Sequence, residues 1–302
     1  MTQSQLPESK AASTGVAGIV VTFHPDEHVL KNLEELRPQV ELIVVVDNGS
    51  NPSELQLLRT ACELMHIHLI ENGANLGIAT GLNIGVRRGL QAGMQWIILF
   101  DQDSRVQDGF IGHMVQRFQE REHHEPLGLL APLYLDMRSG NPIHGETLHG
   151  RNLEVAMTSG SLLRATTFER CGFFVDGLFI DVVDHEYSLR LRRAGLTIEE
   201  CDSAVLLHSP GAPAVHYVFG KRFLTSNYSP LRRYYQERNK IWVARRYFSA
   251  FPKFCLGMFF ISAKDFIKIL FVEPEPRIRK LRFFLLGVWD GLLGRTGPLQ
   301  IG

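Results

Sequence analysis

The feature that most constrains this chain is Trp96-Ile97-Ile98-Leu99-Phe100, five consecutive large apolar residues that end abruptly in Asp101-Gln102-Asp103-Ser104. Such a run reads as a strand buried on both faces, which requires helices layered on either side of a sheet. Open α/β sheets bind ligands at the carboxyl ends of their strands, so these two carboxylates stand where a site belongs. Residues two apart on an extended chain project to one side, and Asp101 and Asp103 can then address one hard divalent cation, Mg2+ or Mn2+. As a bare pattern, Asp-x-Asp-Ser is also an ordinary polar turn.

The segments around that strand repeat its logic. Residues 16–23 are a β-rich apolar run, and Pro25-Asp26-Glu27 opens a helix with Val29, Leu30, Leu33 and Leu36 inward. A second strand at 42–46 ends in Asp47-Asn48-Gly49-Ser50, and Pro52-Ser53-Glu54 starts the next helix. Residues 68–71 read as a third strand, followed by Asn72-Gly73-Ala74-Asn75-Leu76-Gly77 and a helix to about Gly93. Strands alternating with helices predict a parallel, three-layer α/β sheet with its Asp- and Asn-bearing strand ends on one edge. Residues 127–163 turn to short runs broken by Gly and Pro, which predicts antiparallel additions. Within 179–195 an apolar approach ends at Asp181, a helix begins near Asp184, and Gly195 stops it. A strand at 204–207 ends in His208, and 209–229 has the sparse periodicity of a mobile loop.

With 302 residues the chain can bury a sizeable core. Its 32 Lys and Arg balance 32 Asp and Glu, so no global charge points to nucleic acid. Four cysteines without a C-x-x-C pair fit a reduced, cytosolic chain better than a disulfide framework or a zinc site. Residues 1–15 are polar with no signal core and read as a disordered leader. No run of about 18 apolar residues predicts a spanning helix. From residue 229 onward the chain is helical and basic, with Arg232, Arg233, Arg238, Lys240, Arg245 and Arg246 interleaved among Tyr234, Tyr235, Trp242 and Tyr247. Two further helices, 254–272 and 277–293, mix Lys and Arg with Phe, Ile and Leu. Helices of this kind lie on an anionic membrane, or else cap a core with a solvated basic face. The expected organisation is a leader (1–15), an α/β domain (16–228) and an amphipathic helical region (229–302).

Phosphate recognition has to come from somewhere. The first strand is followed by Phe23-His24-Pro25 rather than G-x-G-x-x-G, and no P-loop is present. A cation on Asp101 and Asp103 can neutralise a diphosphate leaving group instead. At this point the ordered set Val-Val-Thr-Phe-His-Pro, Val-Asp-Asn-Gly-Ser, Asn-Leu-Gly-Ile-Ala-x-Gly-Leu-Asn, Phe-Asp-Gln-Asp-Ser and Asp-His-Glu-Tyr-Ser-Leu-Arg resembles the inverting family 2 glycosyltransferases of GT-A fold, over roughly residues 16–210. Leu-Phe-Asp-Gln-Asp-Ser, Phe-Ile-Asp-x-Val-Asp-x-Glu-Tyr-Ser-Leu-Arg, Pro-Leu-Arg-Arg-Tyr-Tyr-x-x-Arg-Asn and Gly-Val-Trp-Asp-Gly-Leu are similar to the rhamnosyltransferase branch, which uses dTDP-L-rhamnose.

The resemblance implies a role for each motif residue. Asp47 would accept the N3–H of thymine, with Thr22 lining the same pocket. Asn75, Gly77 and Asn83 would lie beneath ribose and diphosphate, Gly77 allowing close approach at a helix start. Asp103 would be the direct metal ligand, with Asp101 near the ribose or the metal and His208 completing the metal shell. Asp184 would be the general base, kept ionised by its place in the first turn of a helix, with Asp181 its competitor. Arg190 would pair with Glu186, Ser159-Gly160-Ser161 would border the acceptor, and Arg238-Asn239 would close over the diphosphate. The expected activity is metal-dependent transfer of L-rhamnose to a saccharide or lipid-linked acceptor, at the cytoplasmic membrane face, in cell-surface polysaccharide or lipopolysaccharide synthesis. Transfer to a rhamnolipid-type glycolipid and use of a UDP-hexose are same-chemistry alternatives. A sugar nucleotidyltransferase would want a Gly-rich, Arg-containing turn after the first strand, which is missing; a membrane module without turnover would not need the three acids.

Overall fold

Ten strands and nine helices are found among the described residues of the computed structural model, which are 15–122, 126–137, 139–143, 152–208, 214–218, 221–273 and 276–300. In chain order these are β1 (Val16–Thr22), α1 (His28–Leu36), β2 (Leu42–Asp47), α2 (Pro52–Leu64), β3 (His68–Glu71), α3 (Ile78–Gln91), β4 (Trp96–Asp101), β5 (Arg105–Val106), α4 (Phe110–Glu122) and β6 (Leu127–Asp136). There follow β7 (Leu162–Arg164), α5 (Ala165–Cys171), α6 (Val183–Arg193), β8 (Thr197–His208), β9 (Ala214–Val218), β10 (Lys221–Thr225), α7 (Pro230–Tyr247), α8 (Pro252–Phe271) and α9 (Arg277–Leu292). Apart from Gly15, the leader lies outside the described residues.

One mixed sheet has the order β3-β2-β1-β4-β7-β6-β8-β5. Its first four strands are parallel, in a register that sets Thr22 opposite Asp47 and Val21 opposite Asp101. β7 runs antiparallel to β4, and β6 antiparallel to β7, so two reversals restore the direction of β4 to β6 and its parallel neighbour β8. His208 at the end of β8 therefore opens onto the same edge as Asp101. The expected α/β class and antiparallel additions are both found.

β4 is the spine of this sheet: none of Trp96, Ile97, Ile98, Leu99 or Phe100 is more than 2% exposed. Its pairing with β7 covers only Trp96 to Ile98. Beyond Ile98 the ladder gives way to irregular chain: Leu99 N–H donates to Ser161 O (3.2 Å), Gly160 N–H to Leu99 O (2.6 Å), and Asp101 N–H to the Ser159 hydroxyl (3.1 Å). On the other side α3 sits close to β1 because its facing residues are glycines. A Cβ on Gly85 would fall 2.2 Å from Ile19 Cγ2, and one on Gly81 2.9 Å from Val21 Cγ1.

Three expectations are corrected. β8 starts at Thr197, not at 204. Glu199 and Glu200 interrupt the apolar pattern, yet Glu199 is fully buried, with Arg121 donating to it at 2.8 Å. The segment 209–229 is not simply a loop, because β9 and β10 form an antiparallel hairpin within it. Finally, α7 is not an interfacial helix. Arg233, Tyr234, Tyr235, Arg238 and Asn239 are all buried, and α9 lies so close that a Cβ on Gly287 would be 2.4 Å from Tyr234 O. Arg233 and Lys280 both donate to the buried carboxylate of Glu273, at 2.6 and 2.8 Å, so the α7–α9 packing encloses paired charges. No helix among the described residues is long and apolar enough to cross a membrane.

Gly85→Val is expected to destabilise the fold by about 1–3 kcal/mol through overpacking of α3 on β1, read as a lower midpoint in calorimetry. An unchanged midpoint would mean that the helix can back away at no cost.

Candidate active site

The edge where β1, β4 and β8 end opens into two adjoining cavities. The larger, about 500 Å³, runs past Thr22, Phe23, Asn48, Asn75, Gly77, Asp101, Gln102, Asp103 and His208. The second, about 460 Å³, is bounded by Thr158, Asp181, Asp184, His185, Gln236, Lys240, Met258 and Ile261. Ile78, Asp101, Ile180 and Arg232 line both, so β4 delivers its first acid to the junction.

Asp101, Asp103 and His208 each offer a ligand atom, and these atoms lie within 4.8 Å of one another. His208 Nδ1 is buried without a hydrogen-bond partner and stands 3.8 Å from Asp103 Oδ1. A buried imidazole nitrogen left unpaired beside two carboxylates is costly unless something binds there, and mixed oxygen and imidazole donors suit Mg2+ or Mn2+. These residues fit the metal that the sequence implied. Asp101 feels the cost directly: burial, and then the neighbouring charge of Asp103, push its pKa up to about 6, with His208 opposing.

Asp184 lies in the first turn of α6, reached through a contorted approach. Phe179, Asp181 and Val182 all have left-handed backbone, with φ of +65°, +62° and +64°. Such residues cost on the order of 1–3 kcal/mol each and persist only where neighbours over-determine them. Here the neighbours are on α7: Asn239 Nδ2 donates to the carbonyls of Leu178 (2.8 Å), Ile180 (2.8 Å) and Asp181 (2.9 Å), and Arg238 donates to Gly177 O and Leu178 O. From the other side Ile78 N–H donates to Phe179 O at 2.7 Å. Gly77, with φ of +86°, leaves room for that contact, since a Cβ there would be 2.6 Å from the same oxygen.

The result is an acid at the second cavity with its charge already balanced. Burial alone would push the Asp184 carboxyl up, but the adjacent His185 outweighs it, through its charge and through hydrogen bonds to Oδ1 from ring Nδ1 (2.7 Å) and backbone N–H (2.8 Å). The net direction is down, so Asp184 is ionised at neutral pH. Both of these bonds reach Oδ1. Within the same helix Arg190 pairs with Glu186, whose Oε1 also accepts from Tyr247 at 2.7 Å.

Other residues expected at the site are placed differently. Asp47 is 1% exposed beneath the rim, and its oxygens accept from the Thr22 and Ser50 hydroxyls and from Gly49 and Ser50 N–H. Asn83 is fully buried and bonds Phe174 and Asp176, away from the crevice. Arg238 is 1% exposed; instead of closing over a ligand it braces 177–178, and it also donates to Gly297 O. Ser159 bonds Asp101 N–H and Ser104 Oγ (2.6 Å), supporting the acid, while Thr158 is the residue on the second cavity. Sequence reasoning passed over Phe23, 41% exposed beside Thr22, and Arg232, which was counted only among a basic helix's charges. Its place one turn into α7, directly after the hairpin segment, was the available signal.

A mixed α/β sheet presenting an Asp-x-Asp pair at its switch edge, with a further ionised acid across an adjoining cavity, is the architecture of a GT-A type glycosyltransferase. Residues 19–125, from β1 past α4, match the family described as Glycosyl transferase family 2. The chain is similar to dTDP-rhamnosyl transferase RfbF of Shigella flexneri, 28% identical over 94% of this chain and 98% of that one. It is also similar to galactofuranosyltransferase GlfT1 of Mycobacterium tuberculosis, 27% identical over 76% of this chain and 81% of that one. Among solved structures it resembles GalNAc-T7 with UDP, GalNAc and Mn2+ (TM-score 0.60, 13% identity, 91% of this chain, 56% of that one). A mannosyltransferase of Pyrobaculum calidifontis in complex with GDP-Man and Mn2+ is a further neighbour (TM-score 0.54, 12% identity, 92% and 75%). Residues 19–125 match a family 2 glycosyltransferase domain, the fold is of GT-A type, and the enzyme is a glycosyltransferase.

Because folding raises the Asp101 pKa, this group favours the folded state below its unfolded value near 4, and that contribution is lost as pH rises through about 6. Asp101→Asn is therefore expected to raise the melting midpoint of chelator-treated protein by a few degrees at pH 7.5 and to change it much less at a pH below the acid's unfolded value near 4. Equal shifts at both pH values would remove the ionised acid as the cause.

Proposed function

We propose that this enzyme transfers L-rhamnose from dTDP-L-rhamnose, with inversion, to a hydroxyl of a saccharide or lipid-linked acceptor in cell-surface polysaccharide or lipopolysaccharide synthesis. The observation that carries the chemistry is the shared junction: Asp101 lines both cavities, with Asp103 and His208 on one side and Asp184 on the other. The donor assignment is supported by similarity to the Shigella flexneri rhamnosyl transferase along nearly the whole of both chains.

In this reading the donor occupies the larger cavity, with its base against Thr22 and Phe23 and its ribose and diphosphate along Asn75, Gly77 and Asp101. Asp47 meets the thymine N3–H once the Ser50 hydroxyl yields its place. Asp101, Asp103 and His208 would hold Mg2+ or Mn2+, whose charge, when bound, offsets the charge that builds on the departing diphosphate. Asp184 takes the proton of the acceptor hydroxyl while that oxygen attacks the anomeric carbon opposite the leaving group, and His185 holds the carboxylate in its ionised form. We place the catalytic domain at 16–228 and a helical region at 229–302. Asn83 and Arg238 support the site from within the protein.

The helical region supports peripheral contact with an anionic membrane through α8 and α9. Phe260 (68% exposed) and Phe271 (64%) on α8, and Ile278 (78%) and Trp289 (59%) on α9, stand out from helices that also carry Lys264, Lys268, Arg277, Arg279 and Arg282. That placement, on the inner face of the cytoplasmic membrane, brings the enzyme to lipid-linked acceptors.

The test is incubation with labelled dTDP-L-rhamnose, Mn2+ or Mg2+, and lipid-linked and free saccharide acceptors, with identification of the product. Rhamnosyl product that disappears on chelation is expected; product only from a UDP-hexose would overturn the donor, and the galactofuranosyltransferase likeness makes that the competing outcome. Asp184→Asn is expected to lower turnover by about 10²–10⁴-fold while dTDP still binds, measured by single-turnover kinetics and calorimetry; retained turnover would exclude Asp184 as the base. Cosedimentation with phosphatidylglycerol vesicles is expected to exceed that with phosphatidylcholine and to drop for Phe260→Glu with Ile278→Glu. Equal recovery of that variant would end the membrane reading.

A further inference from the structure

Arg232 is the one Lys or Arg among the described residues lining the larger cavity, and it lines the second cavity as well. Its guanidinium currently serves Asp181: Nε lies 3.0 Å from Oδ2 and Nη2 2.9 Å from Oδ1. Among the described residues Nη1 makes no hydrogen bond. The two partners are unequally held. The Asp181 side chain is 14% exposed, its backbone is left-handed, and its carbonyl is gripped by Asn239, whereas the Arg232 side chain is 43% exposed. The arginine is therefore the partner that can leave. The Tyr228 ring lies 4.3 Å from the guanidinium carbon, a platform over which a planar cation can turn while staying in van der Waals contact.

Charge gives it a reason to leave. Asp101, Asp103, Asp181 and Asp184 gather around the junction of the cavities, and the attraction between Arg232 and Asp101 is already felt across it. A diphosphate brought to Asp101 adds further negative charge, and guanidinium matches phosphate oxygens with two parallel N–H···O bonds. We propose that Arg232 is the protein's own cation for the donor diphosphate, and that it binds the diphosphate by exchanging it for Asp181. This rests on the glycosyl-transfer reading of the larger cavity and adds to it a residue, a ligand group and a partner exchange. It also gives the two members of the ion pair opposite effects: Asp181 competes with the donor for the arginine.

That opposition is the test. Full-length protein with Mn2+ is titrated calorimetrically with dTDP and with thymidine, for wild type, Arg232→Ala, Arg232→Lys and Asp181→Asn, with melting midpoints recorded to confirm that each variant is folded. Arg232→Ala is expected to weaken dTDP binding about ten- to a hundredfold and to leave thymidine binding unchanged, with Arg232→Lys in between. Asp181→Asn is expected to bind dTDP at least as tightly as wild type. Equal weakening by Arg232→Ala and Asp181→Asn would show that the pair is only a brace and would overturn the proposal, as would unchanged dTDP binding by Arg232→Ala. Wild type that binds UDP and not dTDP would overturn the donor assignment alone, the comparison then being made with UDP and uridine. Wild type that binds neither diphosphate would overturn the reading of the cavity and this inference with it.

Discussion

The amide of Asn239 holds the catalytic edge together. It has two protons and three acceptors, the carbonyls of Leu178, Ile180 and Asp181, so at least one hydrogen is shared. Asn239 is fully buried, and while the Leu178 carbonyl also accepts from Arg238 and from Ile180 N–H, the Ile180 and Asp181 carbonyls rely on the Asn239 amide among the described residues. The bonds offset the cost of left-handed backbone at Phe179, Asp181 and Val182, and that backbone is what turns the chain sharply enough to start α6 at the cavity. The helical region is thus structurally part of the site. α7 supplies the grip, and α9 presses on α7 through Gly287 and Gly291.

The α/β half of the fold was readable because its signals are local. An apolar run, a Pro- or Gly-marked boundary and an amphipathic stripe each specify one element, and β1 through β4 with their helices follow from them directly. What escaped were features decided by distant partners. Glu199 and Glu200 look like the end of a strand until Arg121, 78 residues away, is seen to pair with the first of them. Arg233, Arg238 and Lys280 look like a solvated or lipid-facing surface until Glu273, a run of carbonyls and Asn227 are placed against them. Within the site, Asp101, Asp103, His208 and Asp184 were legible as acids and a histidine at element ends, and these the fold brings together. Asn83 and Arg238 were not, since a buried asparagine or arginine that ties loops together has the same letter as one that meets a ligand. The ionised state of Asp184 was expected from its helix terminus, whereas the structure adds its own neighbour, His185, as the influence that outweighs burial.

The charges at the junction pull in opposite directions on two acids of the same type. Asp101 is pushed up by burial and by Asp103, so it is stabilised by gaining a positive partner. Asp184 already has one in His185 and stays ionised without help. One carboxyl is therefore held towards its neutral form and the other towards its ionised form. The division follows from which basic side chain each can reach.

The broken ladder beside β4 has a consequence for how such a domain can change. Had β7 continued past Ile98, residues 159–161 would be bound to a fixed register, and any insertion there would shift every pleat in the sheet. Because the last half of β4 is sealed by three isolated bonds from irregular chain, the chain leading into Ser159 can lengthen, shorten or alter its side chains while the strand behind it stays in place. The wall of the second cavity at Thr158 is thereby free to diversify, and the floor bearing Asp101 is not.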